Sequence, residues 1–296
     1  MFYWCDKFIN VVASKLNASN IIKLSHDTPC ASINSEKIKK HIACLPGFLS
    51  SLKIKTFEES LQTFKNTNYT TAFLQCRLEI DKNYIENILN SLFKNTSHYT
   101  VTARTLYIVN INNDIDLIIS KCSGSERRRK ARNSFKKIKI YNNYNEDFNR
   151  FYSNTAIKNN FSDVYRYNEQ ELRIMSTCNN NLLPFSLYDL TGKYRGGALF
   201  GQTSHYSCDY ILGSFDTDKD IDGRVGLIQC FTELKKIGIT EVNLGGGIEE
   251  DDKLAEFKKS FGSYESLFYN LKIINNLSEY KSLYLRDYIP LNRFPC

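Results

Sequence analysis

Three residues capable of acid–base chemistry lie close together in the sequence: His205, Asp209 and Tyr210. Histidine titrates near neutral pH and a carboxylate can also accept a proton, so His205 and Asp209 are both candidate general bases. Because side chains alternate along a strand, a regular strand here would place His205 and Asp209 on one face and Tyr210 on the other. The structural alternative is a loop histidine, a solvated aspartate and a core tyrosine.

The segment 222–226 has the composition of a phosphate-binding turn at the start of a helix. Gly223 and Gly226 allow a ligand to approach the backbone, Arg224 adds positive charge, and Val225 completes the turn. Backbone N–H groups at a helix start attract anions, so this segment is a candidate pyrophosphate site. An ordinary loop with Gly223 in a turn is the alternative.

A second candidate site surrounds the glycine triplet 245–247, which follows a predicted strand over 240–244. Asn243 lies among apolar neighbours and needs a hydrogen-bond partner, which is a ligand or a neighbouring loop. Gly246 can line an acyl or acceptor pocket, or the glycines can simply permit a sharp turn. The spacing does not match a dinucleotide-binding fingerprint.

The positive charge of the chain is concentrated in one segment. The chain has 39 basic and 32 acidic residues; segment 121–139 holds nine and one of these, which leaves 30 and 31 elsewhere. Arg128 and Arg132 in this segment can bind phosphates of coenzyme A or of a nucleotide-linked acceptor. The segment can also bind tRNA or other nucleic acid, or form a solvated helix.

Hydrophobic periodicity predicts the elements that carry these residues. In the second half of the chain we expect strands over 185–190, 194–200, 206–214, 240–244 and 267–274, and helices over 145–158, 168–178, 227–237 and 251–261. In the first half we expect helices over 56–65 and 81–92, strands over 70–78 and 100–111, and a turn at Pro46-Gly47. Three antiparallel strands feeding a strand–helix–strand crossover make a mixed sheet.

The composition excludes several classes of protein. Of the 296 residues, 42% are hydrophobic, which is enough for a folded core. No apolar run approaches the roughly 20 residues of a transmembrane helix, and the N-terminus lacks a signal-peptide layout, so we expect a cytoplasmic protein. The nine cysteines are scattered without CxxC pairs, which favours reduced thiols and no metal site.

Four stretches resemble the FemAB-like branch of the GNAT acyltransferases, over about residues 100–275. They are Ser125 to Ala131, Tyr210 to Ser214, Glu241 to Gly247 and Leu254 to Gly262. The resemblance implies an α/β fold with a mixed α+β sheet, built from tandem GNAT-like acyltransferase folds. Residues 1–120 would form a degenerate GNAT-like domain and residues 121–296 the catalytic one.

The resemblance also implies an N-acyltransferase without a metal. Our first hypothesis is transfer of acetyl from acetyl-CoA to the amine of a nucleotide-linked amino sugar, for cell-surface polysaccharide. Family members often carry a tyrosine acid in the helix after the last central strand; here Tyr264, just beyond that helix, is the nearest substitute. The implied roles are catalysis for His205, Asp209 and Tyr264, acyl-CoA binding for Tyr210, Leu212, Gly223, Arg224, Val225 and Gly226, and acceptor binding for Arg128, Arg132, Asn243 and Gly246.

Two other functions stay open from the sequence. One is transfer of an amino acid from aminoacyl-tRNA to a peptidoglycan precursor or a sugar amine. The other is a non-catalytic module that binds phosphate or nucleic acid on a GNAT scaffold. The sequence leaves the oligomeric state open.

Overall fold

The computed structural model describes residues 5–16, 18, 20–25, 28–33, 41–44, 54–77, 81–93, 98–122, 124–217, 221–247 and 252–284. Its helices are α1 (Asp6–Lys15), α2 (Ile54–Lys65), α3 (Lys82–Phe93), α4 (Ile115–Lys121), α5 (Ser125–Ser134), α6 (Asp147–Lys158), α7 (Glu169–Thr177), α8 (Gly223–Lys236), α9 (Lys253–Lys259) and α10 (Leu277–Tyr284). Its strands are β1 (Asn20–Ser25), β2 (Thr28–Ile33), β3 (His41–Cys44), β4 (Thr71–Cys76), β5 (His98–Asn110), β6 (Ile138–Tyr141), β7 (Leu182–Asp189), β8 (Tyr194–Gln202), β9 (Ser207–Phe215), β10 (Glu241–Asn243) and β11 (Tyr264–Ile274).

These elements form two compact units that do not follow chain order. The first comprises Met1–Phe8 and Thr105–Ser266, and the second comprises Ile9–Arg104 and Leu267–Cys296. The domain division at residue 120, expected from the sequence, stays a prediction. All candidate site residues lie in the first unit.

The sheet of the first unit has the strand order β6-β7-β8-β9-β10-β5. The strands from β6 to β9 pair antiparallel in sequence, as the predicted meander requires. Helix α8 then crosses over to β10, which pairs parallel with β9 and antiparallel with β5. The expected mixed sheet is therefore confirmed.

The second unit repeats this pattern. Strands β1, β2 and β3 form an antiparallel meander, and α2 leads to β4, which pairs parallel with β3. The next neighbour of β4 is β11, which is antiparallel to it. Each unit therefore contains a strand from the other half of the chain. Strand β5, from the N-terminal half, completes the sheet of the first unit, and β11, from the C-terminal half, completes that of the second.

A buried arginine joins the ends of the meander strands of the first unit through two ion pairs. Arg195 at the start of β8 pairs with Asp189 at 3.2 Å and with Asp216 at 3.3 Å, at the ends of the two neighbouring strands. Hydrogen bonds from Thr191, two backbone N–H groups and Arg195 hold the pKa of Asp189 down, at about 2. The carboxylate stays ionised at neutral pH and keeps Arg195 paired.

Most elements lie where the hydrophobic pattern predicts them, with differences at their ends. Helix α2 begins at Ile54, so Thr56 lies inside the helix and does not cap it. Gly124 occupies the cap position of α5, and Ser125 is the first residue of the helix. Ile237 is exposed because α8 ends one residue earlier. Pro46-Gly47 and the acids 249–251 also lie outside the described residues.

Helix α8 supplies the centre of the first unit's core. Its buried residues Leu227, Ile228, Phe231 and Leu234 pack in one apolar cluster with residues of β7, β8 and β10. Gly226 lies directly against Phe215 at the end of β9: a Cβ at Gly226 would stand 2.3 Å from a ring carbon of Phe215. The absence of a side chain at Gly226 thus allows α8 to pack closely on β9.

We expect Gly226→Ala to lower the free energy of unfolding by about 1–3 kcal/mol, because the added methyl overlaps the Phe215 ring. Gly223→Ala is the matched control, since its Cβ would meet Phe257 at an ordinary 3.6 Å. That change should be neutral or stabilising by up to about 1 kcal/mol. Urea unfolding of both variants measures the difference, and equal stabilities would contradict this packing account.

Candidate active site

The candidate site lies where two neighbouring strands separate. Strands β9 and β10 pair through three residues each, ending at the pair Asn243↔Asp209. Beyond this point the chain follows β5, since Leu244 donates to the Tyr107 carbonyl at 2.8 Å and Tyr107 donates to the Gly245 carbonyl at 3.1 Å. Strand β9 continues along β8 for six more residues, to Phe215. We call this point of separation the fork.

Asp209 and Asn243 hold the fork together through their side chains. Both are buried, and Asn243 Nδ2 donates a hydrogen bond to Asp209 Oδ1 at 2.9 Å. Asn243 Oδ1 accepts from the Gly245 N–H at 2.9 Å. Both ends of the Asn243 amide therefore have protein partners, which identifies Asn243 as a residue that positions Asp209 and the glycine loop. Its predicted contact with the acceptor stays a prediction.

A buried lysine lies beside the glycine loop. Lys258 of α9 is 6% exposed, and its Nζ donates to the Gly246 carbonyl at 2.6 Å. Gly245 has φ +76°, and a Cβ there would stand 3.4 Å from Lys258 Nζ, so the loop passes closely over the ammonium group. Burial lowers the pKa of Lys258 from its ordinary 10.5 to about 8. The negative charge of Asp252 acts in the opposite direction and raises this pKa.

Helix α9 also contacts the start of α8. Arg224 lies over the Phe257 ring, with its guanidinium carbon 5.0 Å from the ring centroid, and its Nε donates to Ser260 Oγ at 2.6 Å. Phe257 and Lys258 are adjacent in sequence, so one segment of α9 contacts both Arg224 and the fork. The stretch 254–262, which resembles the FemAB-like proteins, thus joins the two predicted binding regions.

The first N–H groups of α8 are occupied by the chain itself. The Asp222 carboxylate accepts hydrogen bonds from the N–H groups of Arg224 and Val225, both at 3.0 Å. Lys130 lies 3.9 Å from the other carboxylate oxygen of Asp222. In the predicted pyrophosphate turn, the Asp222 carboxylate therefore occupies the N–H groups that a phosphate would use. The side chain of Val225 is buried in the core.

The basic helix α5 packs beside α8, with Arg127, Arg129 and Arg132 exposed and Arg128 and Lys130 half-buried. A buried hydrogen bond of 2.7 Å from Gln229 Nε2 to Ser134 Oγ joins the two helices. Arg128 donates to the Cys122 carbonyl at 3.0 Å, and Arg132 pairs with Asp116 at 3.3 Å in an exposed position. Burial and the charge of Arg127 lower the pKa of Arg224, which places Arg127 near the α8 start.

Four predicted residues lie away from the hydrogen-bonded centre of the fork. His205 is exposed in the turn before β9, because the strand begins only at Ser207; the shared face with Asp209, expected for a regular strand through both residues, therefore does not apply. Tyr210 places its ring 5.6 Å from that of Phe200, against the core, and Leu212 is buried. Tyr264 is exposed and donates to Glu241 Oε1 at 2.8 Å. Their proposed roles stay predictions.

Lys258 was not among the candidate site residues that the sequence indicated. Lys258 is one of two adjacent lysines near a helix end, where lysines are normally solvated. A signal was present nonetheless, because Lys258 falls three residues after Ala255 and three before Phe261, both buried. A lysine on the apolar stripe of a helix indicates a buried cation with a specific partner.

Comparison with known proteins identifies the fold. No family model matches the chain, and no curated protein matches it significantly. Among solved structures, FemX matches with a TM-score of 0.67 at 11% identity, over 97% of this chain and 95% of FemX. L-PGS from Bacillus licheniformis gives 0.55 at 11% identity, covering 96% of both chains. A conserved protein of unknown function from Bacteroides thetaiotaomicron gives 0.56 at 12%, covering 91% of both.

At these identities the likeness establishes the fold and nothing further. The expected α/β fold, a mixed sheet with the same strand pattern in both units, is therefore confirmed, and FemX has a similar fold. Within the described parts of the chain, no helix has the length and apolar composition needed to cross a bilayer. The same residues contain no group of three or more His, Cys, Asp or Glu side chains that could hold a metal ion.

The lowered pKa of Lys258 predicts a distinct pH dependence of stability. Between about pH 8 and pH 10.5 the unfolded chain keeps the Lys258 proton and the folded chain does not, so stability rises with pH in this window. We expect the free energy of unfolding of the wild type, relative to Lys258→Met, to rise by up to about 1.4 kcal/mol per pH unit.

Urea unfolding of both proteins at about pH 7.5, 8.5 and 9.5 measures this difference. Comparing the two proteins removes the contributions of the other titrating groups, which they share. If the difference in free energy of unfolding between the two proteins stays constant over these pH values, Lys258 is not buried as an ammonium group.

Proposed function

We propose that this chain is an acyltransferase that moves an acyl group from an activated donor to an amine. The observation that carries the proposal is the fork, with Asp209 buried at its closed end and Lys258 buried beside its glycine loop. Among the described residues, no strand pairs with β9 beyond Asp209 on the side of β10. An extended donor arm can bind along such an edge as an added strand does.

In the proposed reaction the amine nitrogen attacks the carbonyl carbon of the donor, and the carbonyl oxygen becomes an oxyanion. Lys258 supplies a positive charge that stabilises this oxyanion in a water-poor site. Asp209 accepts the proton that the amine loses, and Asn243 keeps that carboxylate in place. The tetrahedral intermediate then collapses, the new amide forms, and the leaving group departs with a proton. Tyr264 is the candidate donor of that proton.

One candidate donor is acetyl-CoA, with the amine of a nucleotide-linked amino sugar as acceptor. The free edge of β9 supports this donor, because the amide-containing arm of coenzyme A can hydrogen-bond to a strand. Tyr210 and Leu212 lie on this part of β9. Arg224 is the nearest cation for the pyrophosphate, although its present partners are Ser260 and Phe257.

The other candidate donor is aminoacyl-tRNA, with a peptidoglycan precursor or a sugar amine as acceptor. The Asp222 carboxylate supports this donor, because it occupies the N–H groups that a pyrophosphate would need. Arg127, Arg129 and Arg132 of α5 are also exposed, and their positive charges suit an RNA backbone.

Binding to the folded protein distinguishes the donors. A ligand present at 100 times its dissociation constant stabilises the folded state by about 2.7 kcal/mol, so thermal unfolding is measured with acetyl-CoA, CoA and bulk aminoacyl-tRNA in separate samples. A rise in Tm with acetyl-CoA that Arg224→Ala abolishes favours the coenzyme A donor. A response to aminoacyl-tRNA alone, weakened by Arg129→Ala and by salt, favours the RNA donor. No change in Tm with any of the donors favours a non-catalytic module.

Acyl transfer itself depends on Lys258. With whichever donor binds, we expect Lys258→Met to lower kcat/KM for amide formation by roughly 100-fold or more, the usual effect of removing an oxyanion-stabilising group. Lys253→Met is the matched control, because Lys253 is an exposed lysine at the other end of the same helix. Equal activities in the two variants, with both proteins folded, would remove Lys258 from the mechanism.

A further inference from the structure

Two cysteines far apart in sequence meet in the first unit. Cys5 immediately precedes α1 and Cys178 immediately follows α7, and their Sγ atoms lie 3.2 Å apart. A disulfide has its sulfurs about 2.05 Å apart, so they need to approach by only about 1 Å. The Cys5 thiol also lies 3.8 Å from the Cys178 carbonyl.

The exposure of this pair differs from that of the other thiols. Cys5 and Cys178 are both partly exposed, whereas Cys122, Cys208 and Cys230 are buried. A soluble oxidant can therefore reach the pair and not the core thiols. The scattered cysteines of the sequence gave no indication of this pair, since 173 positions separate its members.

We propose that Cys5 and Cys178 are a redox modification site, which forms a disulfide by exchange with a small-molecule disulfide such as oxidised glutathione. One protein thiolate attacks a glutathione sulfur, which forms a mixed disulfide and releases one glutathione thiolate. The second protein thiol loses its proton and attacks the protein sulfur of the mixed disulfide, which releases the second glutathione. Two protein thiols are thereby oxidised, and one glutathione disulfide is reduced to two thiols.

The order of attack follows from the surroundings of the two thiols. Burial and the neighbouring Cys5 raise the pKa of Cys178 to about 12, so Cys178 is held as a thiol at neutral pH. In the proposed order Cys5 attacks first and Cys178 resolves the mixed disulfide, and the Cys178→Ser variant tests this order. The bond would close a loop of 173 positions and fasten the chain before α1 to the end of α7. Such a closure restricts the unfolded chain and stabilises the folded one.

The experiment treats the folded full-length protein with oxidised glutathione at neutral pH and maps disulfides by non-reducing peptide mass spectrometry. We expect one linked peptide pair, Cys5 with Cys178, and a Tm higher by several degrees that a dithiol reductant reverses. Cys178→Ser should instead retain one glutathione on Cys5. Linkage of other cysteines, or no linkage in folded protein, would overturn the proposal.

Control variants separate this site from general oxidation. Cys5→Ser should lose both the linkage and the rise in Tm, while Cys122→Ala should keep both, because Cys122 is buried away from the pair. A rise in Tm that persists in Cys5→Ser would show that the disulfide is not its cause. Circular dichroism of each reduced variant confirms that it folds.

Discussion

The hydrogen bond between Asn243 and Asp209 is the constraint on which the candidate site depends. It joins the last paired residues of β9 and β10, and beyond it the two strands follow different neighbours. A buried carboxylate is costly unless it has partners, so this contact fixes both side chains in one arrangement. If the strands stayed paired, no free edge would exist, and if they parted earlier, Asp209 would lose its partner.

Helix α9 makes the fork part of a larger unit. Its adjacent residues Phe257 and Lys258 contact different regions, since Phe257 lies under Arg224 and Lys258 reaches the Gly246 carbonyl. A shift of this short helix would therefore disturb the start of α8 and the glycine loop together. The arrangement couples the region predicted to bind phosphate to the region proposed to carry out the chemistry, through side chains only one residue apart.

The sequence predicted the elements after residue 54 well where their signals are local. The stripe of α8, the meander turns and the cap at Asp81, which accepts a hydrogen bond from the Tyr84 N–H, each depend on residues a few positions apart. The strands before residue 54 were missed, because β1 to β3 are short and lack a clear alternation. The sequence indicated that Asn243 needs a partner, but the particular partners of Asn243 and Lys258 come from other elements and were not predictable.

The exchange of β5 and β11 between the units has a consequence for synthesis of the chain on the ribosome. Strand β4 pairs with β11, and the partners are separated by about 200 residues. At 5–20 residues per second, one edge of β4 waits roughly 10–40 s for its partner. Its sequence, TAFLQC, has no charge and no proline to discourage pairing with another chain. The exchanged strand thus leaves one edge of β4 unpaired in the nascent chain until β11 has been synthesised, and such an edge favours chaperone binding.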